Sequence, residues 1–149
     1  MVRPKISCTR RLHFSAGHRV MGHESKCATP HGHNYSVLVS AQAEELDSIG
    51  RVIDFSLLKE KIGGWIEEKW DHTFLVYEKD LKTLELLREM PGNKPPYVCS
   101  FNPTAENIAS YLLREVAPPL LQDSGVVVTK VIVFETENCS AEASLERDF

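Results

Sequence analysis

The sequence predicts an α+β fold, in which strand patterns at the two ends of the chain enclose a helical middle. Three observations carry this expectation. Larger apolar residues alternate with small or polar ones along two N-terminal runs, up to His18 and from His33 to Ala41. The run Val126 to Phe134 is rich in β-branched residues. Between them, apolar stripes recur at helical spacing.

Taken in order, the elements read strand, strand, helix, short helix, helix, strand, strand. In the first run Ile6, Cys8, Leu12, Phe14, Ala16 and His18 share one parity class, so His18 closes a strand on its apolar face while His13 lies on the other. The second strand is His33 to Ala41. The first helix starts at Asp54 as N-cap and carries Leu58, Ile62, Trp65 and Ile66 on one stripe, ending near Trp70. Its Gly63-Gly64 pair costs about 1 kcal/mol per glycine relative to alanine, which a close approach by a neighbouring element would offset. A shorter helix from Asp80 to Met90 presents Leu81, Leu84 and Leu87 before the Pro-rich surface loop from Pro91 to Pro96. The third helix opens at Asn102-Pro103 as N-cap and first helical residue, with Ile108, Tyr111, Leu112 and Val116 on its stripe, and Pro118-Pro119 stops it. After Gly125 comes the β-branched strand, which delivers Glu135 at its end, and a last strand around Ala141 to Leu145 completes a hairpin.

A chain of 149 residues fits one domain spanning 1–149, large enough to bury roughly 70% of the surface its unfolded form would expose. Four cysteines at irregular spacings call for no disulfide scaffold. With no secretory signal and no apolar run approaching about 18 residues, a reduced, soluble, cytoplasmic protein without a membrane partner is expected. The net charge of −4 argues against nucleic acid as a partner. Arg10, Arg11, Arg19 and Lys26 lie close in sequence to the histidines, either as a basic pocket for an anionic substrate or as ordinary solvated charges.

Chemistry concentrates in Cys27-Ala28-Thr29-Pro30-His31-Gly32-His33. On a strand, side chains at i and i+2 share a face about 7 Å apart at the backbone, so His31 and His33 can reach one tetrahedral ion. Such a pair is equally at home as a hydrogen-bonded core pair without metal. A catalytic zinc takes three protein ligands and keeps a fourth position open. Of His13, His18 and His23, His18 has the best context, since His23 sits in a loop-like stretch and His13 on the wrong face. Cys27, beside Lys26 and a Pro-bounded turn, is either the fourth ligand of a closed site or a thiolate base beside an open one. Cys8, Cys99 and Cys139 read as core or incidental thiols. Asp71-His72, at the end of the first helix, pairs a carboxylate with an imidazole, as either an acid/base couple or a surface ion pair.

Together these residues resemble the superfamily of 6-pyruvoyl-tetrahydropterin synthase and 6-carboxy-5,6,7,8-tetrahydropterin synthase. The resemblance rests on Phe14-Ser15-Ala16-Gly17-His18-Arg19, Cys27 with His31-Gly32-His33-Asn34, Val52-Ile53-Asp54-Phe55 with Leu58-Lys59, Trp70-Asp71-His72, Pro103-Thr104-Ala105-Glu106-Asn107 and Val133-Phe134-Glu135-Thr136. It implies the tunnelling fold, a four-stranded antiparallel sheet with helices packed on one face, whose subunits join sheets into barrels. It further implies a homohexamer, a dimer of trimers, with active sites between subunits. It makes His18, His31 and His33 the ligands of one Zn2+ per subunit, Cys27 the proton-abstracting residue, and Asp71 and His72 the second acid/base pair. Glu135 becomes the anchor of a pterin's guanidine-like edge and a member of the relay, and Thr104 and Glu106 line the pterin pocket.

The implied substrate is 7,8-dihydroneopterin triphosphate. The four-residue spacing from Cys27 to His31 resembles the 6-carboxy branch, which releases acetaldehyde and triphosphate and feeds 7-deazaguanine and queuosine synthesis. The pyruvoyl branch has a longer segment there, and a third branch has glutamate in place of Cys27. A non-catalytic zinc or pterin-binding protein is the reading from another class. The chain departs from the shortest members in its longer stretch from Leu75 to Phe101 and in Thr73, where some members carry a second histidine.

Overall fold

A computed structural model describes residues 2–90 and 92–146 of the chain. β1 (Ser7–His18) and β2 (His31–Ala43) form a long antiparallel pair whose register sets Ser7 opposite Gln42 and His18 opposite His31. β5 (Val126–Thr136) runs antiparallel along the other side of β2, and β6 (Cys139–Ser144) folds back on β5. These are the four antiparallel strands expected.

Two further strands enlarge the sheet. β3 (Thr73–Tyr77) pairs in parallel with Ala16–His18 of β1, and β4 (Tyr97–Cys99) pairs in parallel with β3. The sheet therefore has six strands in the order β4-β3-β1-β2-β5-β6, rather than four. The added strands flank the expected helix and Pro-rich loop, in stretches to which the sequence pattern assigns no element. At five and three residues they are too short for alternation to register; β3 joins the edge of β1, and β4 joins β3.

One face of the sheet carries the core. Leu12, Phe14, Tyr35, Val37, Val39, Val131 and Val133 are buried there, while Arg11, His13 and Asn34, at the intervening positions, are exposed. Each such aliphatic or aromatic side chain contributes about 1.5–3 kcal/mol when fully buried. Phe14 stacks on Tyr35 with ring centroids 4.6 Å apart, and Trp70 packs against Phe14 at 5.5 Å.

The helices cover this face. A helical run over 55–69 comprises α1 (Phe55–Leu58), a π-helical turn (Lys59–Gly63) and α2 (Gly64–Lys69). Asp54 caps it, its carboxylate accepting from the Ser56 amide at 2.8 Å. Leu58, Ile62 and Ile66 are buried. A Cβ on Gly63 would lie 3.1 Å from Leu12 Cδ2, so this glycine admits a close approach of β1, whereas Gly64 faces open space. The compensation expected for the pair holds for Gly63 alone.

α3 (Leu81–Glu89) is capped by Asp80 and buries Thr83 and Leu84, but Leu81 stands exposed. Inserted between β3 and β4, the helix has a narrow stripe to bury. Pro91, at the head of the expected loop, lies outside the described residues.

α4 (Ala105–Tyr111) continues through a π-helical turn (Leu112–Val116) into α5 (Ala117–Leu120). Its N-cap is Thr104, whose hydroxyl accepts from the Asn107 amide at 3.1 Å. Asn102 instead offers its carbonyl to the Asn107 side chain, so Pro103 precedes the cap rather than following it. Pro118-Pro119 does not stop the helix. Both prolines fall in the first turn of α5, where no intrahelical N–H is required, and the wider turn ahead of them absorbs the mismatch.

Candidate functional site

The β1–β2 register builds the centre of the site. His18 stands opposite His31 and Ala16 opposite His33, so the three imidazoles leave the sheet on the same face. The Nε2 atoms of His18 and His31 are 3.1 Å apart, as are those of His31 and His33. Two tetrahedral zinc ligands at about 2.0–2.1 Å from the ion would hold their nitrogens about 3.3 Å apart. Among the described residues, these three histidines are the group whose donor atoms converge as metal ligands.

The protons on these rings are assigned by their partners. His18 Nδ1 lies 2.7 Å from the Pro103 carbonyl and His31 Nδ1 2.6 Å from the Thr29 carbonyl. A carbonyl only accepts, so both rings carry their proton on Nδ1 and present an Nε2 lone pair. Lone pairs facing each other at 3.1 Å repel unless a cation lies between them. Burial favours the neutral form of His18: 1% exposed, it is held down to about 4 by desolvation, against the pull of the Pro103 carbonyl. His33 is also lowered, by burial first, with Glu135 opposing. Neutral imidazoles with fixed tautomers are what a divalent metal requires.

Glu135, near the end of β5, brings Oε2 to 3.7 Å from His33 Nε2. Tyr35, fully buried, walls the group with its ring 5.4 Å from that of His33 and 5.8 Å from that of His18. Cys27 sits in a single 3₁₀ turn (Lys26–Ala28) of the connection between the two ligand-bearing strands, tied down by the Val20 amide donating to its carbonyl at 2.8 Å. It is half-buried and not part of the converging donor group. Cys99 is buried, Cys8 half-buried and Cys139 exposed. Thr104 spends its hydroxyl as the α4 cap, and Glu106 is exposed on the first turn of that helix.

Asp71 and His72 form a separate constellation. Asp71 Oδ1 accepts from the Ser15 amide at 2.8 Å and Oδ2 from His72 Nδ1 at 2.8 Å, while the His72 amide donates to the Ser15 carbonyl. Burial pushes the Asp71 carboxyl up, but the Ser15 amide, His72 and Lys94 outweigh it and hold it below its ordinary value. The ionised carboxylate keeps the proton on His72 Nδ1, leaving Nε2 on a side chain that is 78% exposed. His72 lines an open groove of about 370 Å³ with Ser15, Gly17, Gly32 and Asn34, which alternate with the triad positions, and with Ala16, His33 and Thr73. The groove thus opens mainly on the face of the sheet opposite the triad and reaches the triad at His33.

A sequence profile of the 6-pyruvoyl tetrahydropterin synthase family matches residues 7–146. The chain belongs to this family. Among its relatives, a protein of Rickettsia bellii named 6-carboxy-5,6,7,8-tetrahydropterin synthase is 40% identical over 137 residues, covering 92% of this chain and 99% of the relative. An uncharacterised protein of Wolinella succinogenes has a crystal structure that superposes with a TM-score of 0.81 at 26% identity, over 97% of this chain and 100% of that one. The 6-pyruvoyl tetrahydropterin synthase of Caenorhabditis elegans shares the fold, with a TM-score of 0.68 at 24% identity over 98% and 100% of the two chains.

In this family member the site draws on groups that the motifs do not reveal. The carbonyls of Thr29 and Pro103 orient His31 and His18, and Ser15 and Lys94 hold the Asp71-His72 turn. Backbone partners carry no side-chain signature, so only the position of Pro103 one residue before Thr104-Ala105-Glu106 hinted that this segment meets the histidines.

Proposed function

We propose that the protein is a zinc-dependent lyase that converts 7,8-dihydroneopterin triphosphate and one water to 6-carboxy-5,6,7,8-tetrahydropterin, acetaldehyde and triphosphate, supplying 7-deazaguanine and queuosine synthesis. The observation that carries this reading is the convergence of three imidazole Nε2 atoms, two of them on rings whose Nδ1 meets a carbonyl. The carboxy branch is favoured over the pyruvoyl branch by the four-residue step from Cys27 to His31 and by the name of the Rickettsia bellii relative.

Bound by His18, His31 and His33, zinc would supply Lewis-acid polarisation of an oxygen on the substrate's side chain. Cys27, as thiolate, removes the proton from the adjacent carbon. His72 exchanges protons through its exposed Nε2, its tautomer held by Asp71. Glu135 accepts two parallel hydrogen bonds from the guanidine-like edge of the pterin and so selects the ring. Thr104 and Glu106, at the start of α4, border the pterin.

The chain acts as one domain and assembles into a homohexamer, a dimer of trimers, in the cytoplasm. Two features support assembly. β3 covers only Ala16–His18 of β1 and the Asp71-His72 turn takes up Ser15, leaving the edge over 7–14 open, and β6 offers the other open edge. His72 opens mainly on the face opposite the triad, which supports a neighbouring subunit's Asp71-His72 completing each site. No helix among the described residues is long and apolar enough to cross a membrane.

The test is the zinc-loaded protein incubated with 7,8-dihydroneopterin triphosphate, with products identified by mass. The carboxy pterin with acetaldehyde is expected, a pyruvoyl pterin without acetaldehyde would assign the sister branch, and an unconsumed substrate would refute the reading. Cys27→Ala should keep its zinc and lose turnover; loss of zinc would mark a closed structural site instead.

A further inference from the structure

The Asp71-His72 turn is strained. His72 has φ +59°, in the left-handed region that a non-glycine residue enters at a cost of about 1–3 kcal/mol and holds only when its surroundings over-determine it. Two hydrogen bonds to Ser15 fix the turn from β1, one through the Asp71 carboxylate and one through the His72 amide. A third constraint comes from elsewhere in the chain. Lys94 Nζ donates to the Glu67 carbonyl at 2.6 Å and to the Asp71 carbonyl at 2.7 Å.

Lys94 belongs to the longer stretch between Leu75 and Phe101. Its ammonium satisfies the Glu67 carbonyl in the last turn of the 55–69 helical run, and it places a cation where the helix dipole favours one. The Asp71 carbonyl belongs to the peptide that leads into His72, so the same ammonium restrains the torsion that aims the imidazole. The stretch makes a second brace at the metal side. Asp80, 4% exposed, sets Oδ2 3.5 Å from Nε of Arg19, the residue after His18, and Arg19 also donates to the Thr83 hydroxyl at 3.4 Å.

We propose that Lys94 is a positioning residue for the reaction, through which the 75–101 stretch holds the Asp71-His72 peptide in its left-handed conformation and sets the direction of the imidazole. The inference rests on the assignment of Asp71 and His72 as the acid/base pair, and it deepens that assignment.

The test uses the zinc-loaded full chain with Lys94→Met, and with Lys94→Gln should the methionine variant fail to fold. With 7,8-dihydroneopterin triphosphate, kcat should fall about tenfold or more while KM and zinc content stay within about twofold, and Lys94→Arg should recover most of kcat. Crystals of the methionine variant should show His72 outside the left-handed region. An unchanged kcat with only a lowered Tm would reduce Lys94 to a helix cap and overturn the proposal, as would an unmoved His72 backbone. A parallel His72→Ala variant separates the two readings. Wild-type turnover there refutes the dyad itself, whereas lost turnover there beside an unchanged Lys94 variant refutes only the role of Lys94.

Discussion

Two backbone oxygens, of Pro103 and Thr29, fit His18 and His31 to hold a metal, because each takes the Nδ1 proton and leaves Nε2 free. The imidazole identities and the i, i+2 spacing were legible in the sequence, and parity alone selected His18 over His13. The carbonyl partners were not, since they lie at residues far along the chain or in an irregular connection. The depressed titration of His18 makes a stability prediction. Its folded value is about 4 against 6.5 unfolded, so between those values the unfolded chain binds the extra proton. The metal-free protein should therefore lose stability as pH falls through this window, by about 3 kcal/mol from this residue at the acid end. The lowered Asp71 carboxyl acts in the same direction at more acid pH. Urea unfolding of chelator-treated protein checks this, and a midpoint that does not move between about pH 7 and about pH 4.5 would contradict it.

Local patterning located the long strands and the helices of 55–69 and 105–120 to within a few residues, because their apolar periods run over several turns or pleats. It failed at β3 and β4, whose shortness hides their alternation, and at the α4 cap, where Asn102 and Thr104 are chemically equivalent candidates and only the Thr104–Asn107 hydrogen bond decides. The β1–β3 pairing rests on one glycine. A Cβ on Gly17 would lie 2.7 Å from Phe74 Cδ2, closer than a ring can tolerate without moving. Gly17→Ala should therefore push β3 away from β1 and cost about 1–3 kcal/mol. Because β3 begins at Thr73, directly after the dyad, the same change should also lower turnover. Thermal unfolding with a parallel activity assay tests this; a variant with unchanged Tm and rate would show that Phe74 yields freely.

At the scale of the molecule, the opening of His72 mainly on the sheet face opposite the triad has a measurable consequence. If a neighbouring subunit completes each site, co-expressed Cys27→Ala and His72→Ala chains should recover about a quarter of wild-type turnover, since random mixing pairs an intact Cys27 with an intact His72 at that frequency. Mixed assemblies with no more activity than the single variants would place the whole site within one chain. The sequence by itself determined which residues are candidates for the chemistry, how the two histidine-bearing strands alternate and which family the motifs resemble, because side-chain identity and periodicity are local properties. The tertiary structure decided the rest: the six-stranded sheet, the tautomers, the face each group serves and the grip of Lys94 on the dyad. Those depend on pairing between residues such as Ser15 and Asp71 or Asp71 and Lys94, distant in the chain and joined through hydrogen bonds that no local pattern encodes.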